Sequence, residues 1–454
     1  MRKGTIILIA LLLVLTALPV HRTLRVSAAG PAPQDGGQVY TIQSGDYLGK
    51  LAQEHYGDAR KWPAIWKATN TQAQTDSSLA TIDDPNIIEA GQKLWLPDAA
   101  EVDKWQAADW SASARIIDRD VIECFAGSLE KDDKPIYCET SAVAYDGTVV
   151  VLASDKSVPC DGCSPVFAVK YAGNKLDTAS RQYYTATPFV DATKYEDMTV
   201  TPDNKYIIAT TGFDRVKSDS AEWNNYNTLL VWPTGDPDAV KVVSPSAVDG
   251  VTSSVDLRTK FSNALKNADF PDGMPYFKVE GLAAIPGNKL LFGIRELGAS
   301  YKEFDYAVKI VSASYTIEDG TLTLGDDFAL IYDYSPVLRQ QVALSSLEYD
   351  RYGDRLYLLT SYETADTDEG LGGYLWTLSM SDLNANNAPR LVFKDVLTPL
   401  SFAHKAEGVT VISANRVLVI HDDDRVLGRQ IVENPETQFS RDVNQGAYTL
   451  VEFR

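Results

Sequence analysis

Five times in its larger part, this chain repeats an apolar strand, a polar turn and a second apolar strand. The copies span Glu139–Leu152, Glu196–Ala209, Glu280–Gly293, Ser346–Leu359 and Glu407–Ile420, with starts 57, 84, 66 and 61 residues apart. A two-stranded hairpin cannot bury its own apolar faces. Tandem hairpins at this spacing are satisfied by packing radially as the blades of a β-propeller, each copy supplying two adjacent strands of a blade. Five blades are visible and a sixth is the alternative. The wide interval 213–280 is better filled by a strand at 226–232, another near 240–243 and a polar helix at about 254–267. A strand at 447–453 pairing with one at 114–117 closes the ring and removes an exposed edge. A two-sheet sandwich is the structural alternative, but it offers no reason for five similar hairpins.

The repeats occupy a region from 112 to 454, preceded by a charged connector at 98–111 and a compact module at 39–97. Within the module, Val39–Ile42 alternates as a short strand, and Ser44-Gly45-Asp46 forms a turn with a candidate helix cap. Leu48, Leu51 and Ala52 follow at helical spacing. Gly57 suits the left-handed close of that helix, and Pro63 suits the first turn of a second helix running to about Ala68. Leu94, Leu96 and Pro97 form a short closing strand. Tyr40, Leu48, Leu51, Ile65 and Leu94 are the expected core of so small a unit.

This βααβ pattern resembles the LysM domain, a module that binds N-acetylglucosamine-containing glycans. The resemblance places Gly45, Asp46, Tyr47 and Leu48 in the loop after the first strand, and Asn86, Ile87 and Ile88 in the loop before the last. It implies that these two loops form a shallow glycan groove, with backbone polar groups and apolar contacts to the acetyl methyl. The implied partner is peptidoglycan, chitin-like polymer or a related surface glycan.

Ahead of the module, Arg2-Lys3 precedes an apolar run from Ile6 to Val20, and Val26-Ser27-Ala28 offers small residues for cleavage. Residues 1–28 therefore read as an export signal and 29–38 as a flexible lead. An uncleaved anchor is the alternative; after cleavage no stable membrane span is expected. The whole chain carries 42 basic and 62 acidic residues. Such acidity repels nucleic acid and suits an extracytoplasmic, secreted or wall-associated protein. Cys124, Cys138, Cys160 and Cys163 can oxidise there. Separation pairs Cys124 with Cys138 and Cys160 with Cys163, although four cysteines permit three pairings.

Glu139, Glu196, Glu280 and Glu407 open four copies, and Asp155, Glu296, Glu363 and Asp423 follow the second strands. If the first strands line the channel, one end gathers a ring of carboxylates. Glu139, Glu196, Glu280, Glu407 and Asp423 then become candidates for a channel site or for calcium, which takes hard oxygen ligands. The simpler expectation is that these acids cap strands and accept hydrogen bonds in turns. His421-Asp422-Asp423-Asp424 is the sharpest local polar cluster, and His404 is the other histidine of the large region. No serine sits in a GlyXaaSerXaaGly elbow, and no catalytic residue is assigned.

Glu280-Gly281 with Arg295-Glu296, and Glu407-Gly408 with His421 through Asp424, loosely resemble phytase-like esterases and related propeller proteins. That resemblance implies metal-assisted hydrolysis of a phosphate or carboxylic ester. The expectation preferred for the whole chain is a wall-associated glycan binder whose propeller is a platform for a protein or small molecule; the hydrolase is its alternative.

Overall fold

The computed structural model describes residues 36–453 apart from 59–60, 74–75, 83–87, 103–112, 218, 336–341, 364–370, 395–398, 424–427 and 431–437. The expected leader at 1–28, most of the expected connector, Asn86, Ile87 and Asp424 lie outside the described residues.

The small module is built as its apolar spacing requires. Strand Gly37–Thr41 pairs antiparallel with Lys93–Pro97, and helices Leu48–Tyr56 and Trp62–Ala73 lie between them in the chain. Leu48, Leu51, Ile65 and Leu94 are buried together, with Tyr40 packed at the margin. Gly57 closes the first helix at a φ of 72°. The second helix runs to Ala73, past the expected Ala68. No side chain caps the first helix at Tyr47, because Asp46 is engaged elsewhere, as described below.

Beyond Ser113 the chain forms five blades. Their inner strands are Thr140–Tyr145, Tyr195–Val200, Tyr276–Ile285, Ala343–Asp350 and Ala406–Ser413, here blades 1 to 5. Each is followed by an antiparallel second strand across a short turn, in the register of the repeats. The five inner strands neighbour one another in sequence, and the fifth returns to the first. Blade 5 is completed by Gln445–Phe453 and then Ala114–Glu123, whose ladder pairs Ala114 with Phe453 and Glu123 with Gln445. This is the expected closure, over a longer ladder.

Burial confirms the radial arrangement. One apolar core lies between each successive pair of blades: Ala144, Met198 and Ile207 meet between blades 1 and 2, and Ala283, Leu344 and Leu347 between blades 3 and 4. A two-sheet sandwich would have one central core instead. The closing interface, between blades 5 and 1, buries Ile122, Val143, Val150 and Ile420 beside Cys124 and Cys138. Disulfides join Cys124 to Cys138 and Cys160 to Cys163. The first ties the closing strand to the start of blade 1.

Among the described residues, the wide interval holds no sixth blade. It contains the rest of blade 2, a small hairpin and helix Leu257–Ala264. That helix drives Leu257 and Phe261 into the core between blades 2 and 3, where Phe261 meets Phe213, Phe277, Phe292 and Phe328. Replacing so buried an aromatic leaves a cavity that rigid strands close poorly. Phe261→Ala is expected to cost about 3–5 kcal/mol, read from the shift in urea unfolding midpoint at unchanged slope.

Candidate functional site

One end of the propeller is made of short turns; the other carries the long connections. The second and third strands are joined there by residues 155–165 in blade 1, 212–228 in blade 2 and 422–444 in blade 5. Binding residues concentrate on loops held by a rigid scaffold, so this end is the candidate face.

A bulge recurs at this end of every inner strand. The pairing register skips Glu196, Glu280 and Glu407 in blades 2, 3 and 5, and Ser141 and Ser345 in blades 1 and 4. An extra residue breaks the pleat and re-aims its side chain. Together with Glu139, just before the first inner strand, the three bulged glutamates are buried. The expected convergence of these acids at one end is therefore what the bulges produce.

The carboxylates do not stand alone. Lys156 Nζ lies 2.6 Å from Glu139 and 3.3 Å from Asp155. Lys194 Nζ lies 3.6 Å from Asp155 and 3.0 Å from Glu196. Lys278 bridges Glu196 and Glu280, and Arg295 donates to Glu280 at 3.0 Å. Lys405 Nζ lies 3.1 Å from Glu407 and 3.5 Å from Glu363. Acids and bases alternate around much of the mouth. The signal was present but unread: Lys194, Lys278 and Lys405 each precede a bulged glutamate by two residues.

These neighbours split the titration of similar acids. Burial pushes Glu196 up to about 7, against the pull of Lys194 and Lys278. Burial also raises Glu407 despite Lys405. For Glu280 burial is outweighed by Arg295 and Lys278, which hold it below the usual carboxylate range. For Asp155 burial is likewise outweighed, by Lys194, Lys156 and Lys278.

Glu139, Asp155 and Asp422 each offer an oxygen within 4.8 Å of the others. Calcium takes six to eight oxygens, and Lys156 already engages two of these three carboxylates. A ring-wide calcium site would have to displace ammonium groups from Glu139, Glu196, Glu280 and Glu407. Asp423 is also engaged: its Oδ2 contacts His404 Nδ1 and its Oδ1 accepts from Lys405 N at 2.8 Å. His421 Nε2 is 2.8 Å from Thr449 Oγ1, and its ring lies 5.3 Å from that of His404.

Below the mouth the channel is filled. Asp197 of blade 2 accepts from Leu282 N of blade 3 at 2.7 Å and from Leu347 N of blade 4 at 3.0 Å. Ser346 Oγ donates to Asp197 and accepts from Val409 N of blade 5. Glu348 of blade 4 accepts from Thr410 Oγ1 and Val411 N of blade 5, each at 3.2 Å. Repeat alignment alone did not reveal these residues, because each is one of several polar positions in a strand.

In the small module, Asp46 organises the first predicted loop. It accepts from Tyr40 Oη and Gln43 N, both at 2.8 Å, and from Lys50 Nζ at 2.9 Å. Those bonds, led by Lys50, hold its carboxyl down at about 2. Gly45 takes a φ of 87°, natural only for glycine. Tyr47 is 63 % exposed, whereas Leu48 is 2 % exposed and belongs to the core. Near the second loop, Asn70 brackets Ile82 by accepting from its N–H and donating to its carbonyl. Ile88 packs at the edge of the same core.

Residues 40–97 match the LysM domain family. An uncharacterised protein of Bacillus subtilis, YqbP, is 43 % identical over 61 residues, 13 % of this chain and 27 % of that one. The chain thus spans about a quarter of the length of that curated relative. Solved structures are similar at low scores. A Bacteroides thetaiotaomicron protein of unknown function is 10 % identical, with 81 % of this chain and 86 % of that one covered and a TM-score of 0.34. The PQQ-bound aldose sugar dehydrogenase of Streptomyces coelicolor is 9 % identical, with coverages of 74 % and 99 % and a TM-score of 0.31. The catalytic domain of a Coprinopsis cinerea GH62 alpha-L-arabinofuranosidase is 11 % identical, with coverages of 75 % and 96 % and a TM-score of 0.37. At such scores they assign no activity to this chain.

Burial pushes Glu348 up to about 8, above the ordinary 4.5 that applies when unfolded. The folded chain then holds a proton that the unfolded chain has released, so stability falls as pH rises between those values and levels off above. Glu196 adds a slope of the same sign up to about 7. Glu348→Gln is expected to flatten the decline, measured as urea midpoints at a series of pH values from about 5 to 8.5.

Proposed function

We propose that this chain is an extracytoplasmic protein that binds N-acetylglucosamine-containing wall glycan through residues 40–97 and presents its propeller as a binding platform. The observation that carries the reading is the LysM match over the module. Its support is the shape of the first loop: Asp46 fixes the turn, Gly45 takes the left-handed conformation the turn requires, and Tyr47 stands in solvent. Gly45, Asp46 and Tyr47 would contact the sugar, and the family resemblance adds Asn86, Ile87 and Ile88 to the contact set, while Leu48 supports the first loop from the core. Two disulfides suit an oxidising compartment. No helix among the described residues is long and apolar enough to cross a membrane. The apolar segment at 6–20 is read as the export signal, with 29–38 as a lead and 98–111 as the connector.

For the propeller, ion pairing of the ring favours a platform for a protein or small molecule over a hydrolytic centre. A general acid or metal ligand must be available to substrate, and four of the ring acids already hold cationic side chains.

Sedimentation with purified peptidoglycan, with chitin in parallel, tests the anchor. The full chain is expected to pellet with one of these polymers. Tyr47→Ala should weaken that binding about fivefold or more, the scale of one aromatic contact, without lowering the melting temperature. A full chain that pellets with neither polymer, or a Tyr47→Ala chain that pellets equally well, overturns the reading.

A further inference from the structure

The connection between the second and third strands of blade 1, residues 155–165, carries the Cys160–Cys163 disulfide onto the candidate face. The two disulfides of the chain sit in opposite surroundings. Cys124 and Cys138 are 0 % exposed, inside the core between blades 5 and 1. Cys160 and Cys163 only border that core and are partly exposed, and Pro159, Asp161 and Gly162 around them are exposed. A thiolate in water opens a disulfide by direct attack on one sulfur, so access decides which bridge reacts. Of the two, Cys160–Cys163 offers that access without an opening of the core.

The exposed bridge does little as a brace. A cross-link restrains the unfolded chain more the longer the loop it closes, and this one joins residues 3 apart where the other joins residues 14 apart. The folded loop is also held by bonds that use no sulfur. Ser154 N donates to the Pro165 carbonyl at 3.0 Å across the base of the loop. Val158 is buried ahead of the pair and Ser164 behind it, with Ser164 Oγ accepting from Val166 N at 3.2 Å. Between those anchors, Cys160 N donates to the Val158 carbonyl and Cys163 N to the Cys160 carbonyl, each at 3.0 Å.

Those restraints also act on the reduced pair. The two Cα atoms are 5.3 Å apart, inside the span that a disulfide bridges. Anchored on both sides, the thiols stay within reach of each other after the bond opens, so closing it again is an intramolecular step. A bridge that meets solvent, adds little to stability and keeps its cysteines in place when open is suited to opening and closing repeatedly.

We propose that Cys160–Cys163 is a thiol–disulfide exchange site on the mouth face of the propeller, whose substrate is a dithiol. One thiolate of the substrate attacks a sulfur of the pair; the bond between the cysteines breaks, and the other cysteine leaves as a thiolate. The second thiol of the substrate then attacks its own sulfur in the mixed disulfide. The substrate departs as a disulfide, its two electrons stay on Cys160 and Cys163, and its two thiol protons pass to those sulfurs. An external disulfide such as oxidised glutathione runs the same steps in reverse and restores the bridge.

The test treats the folded full chain with dithiothreitol, blocks the thiols by alkylation and maps them by mass spectrometry. Cys160 and Cys163 are expected to label together while Cys124 and Cys138 stay bridged, and oxidised glutathione is expected to close the pair again. Catalytic amounts of the chain should then speed electron transfer from dithiothreitol to oxidised glutathione, read as glutathione released. Cys160→Ser combined with Cys163→Ser should lose that gain at a nearly unchanged melting temperature. Two bridges that open only together, a Cys160–Cys163 pair that does not react, no gain in turnover, or a gain that the double variant keeps overturns the site. A double variant that melts as early as Cys124→Ser combined with Cys138→Ser reveals a brace and overturns it too.

Discussion

Five inner strands brought around one axis turn backbone N–H groups toward a space too narrow for bulk water, and each of those groups needs an acceptor. The polar side chains of the channel supply it. Asp197 receives N–H groups from blades 3 and 4, Thr199 receives one from Ala284 of blade 3, Thr410 one from Tyr145 of blade 1, and Glu348 one from Val411 of blade 5. Each bond crosses from one blade to another. The apolar cores between blades set how closely they pack, while this central set fixes their relative height, because a strand that slid by a residue would lose its acceptor. The bulges above the plug then have a fixed frame from which to re-aim Glu196, Glu280 and Glu407.

Much of the architecture was legible in the chain. The alternation of apolar strand, polar turn and apolar strand is a local property, and repeated five times it left few arrangements that bury every face. Closure by the two end strands was legible too, since edge strands need partners. What remained hidden depended on juxtaposition across blades. That Asp197 meets Leu347 follows from the radius of the ring, which no local pattern encodes. The acids of the mouth are legible because they share a repeat position; their pairing with Lys194, Lys278 and Lys405 is not, because residues two apart on a strand meet across blades only once the bulge has turned one of them.

The small module shows the same division. Its core residues followed from helical spacing, as Leu51 and Ile65 illustrate. The role of Asp46 did not, since an acid ahead of a helix reads most simply as a cap. It is instead claimed by Tyr40, Gln43 and Lys50, three partners brought together by the turn itself. Asn70 was equally silent, its amide substituting for a strand partner to Ile82.

The strand Ala114–Glu123 enters blade 5 at its outer edge, antiparallel to the strand that ends the described chain. Everything before residue 113, the LysM module included, is therefore joined covalently to the element that locks the ring. Tension applied through that end loads a ladder running from Ala114 to Glu123 along its length, so that its bonds resist sliding together rather than opening one at a time. The Cys124–Cys138 bond lies immediately beyond it, a covalent stop at the point where a slipping strand would otherwise begin to draw on blade 1. In mechanical terms the clasp of the propeller is also its tether point.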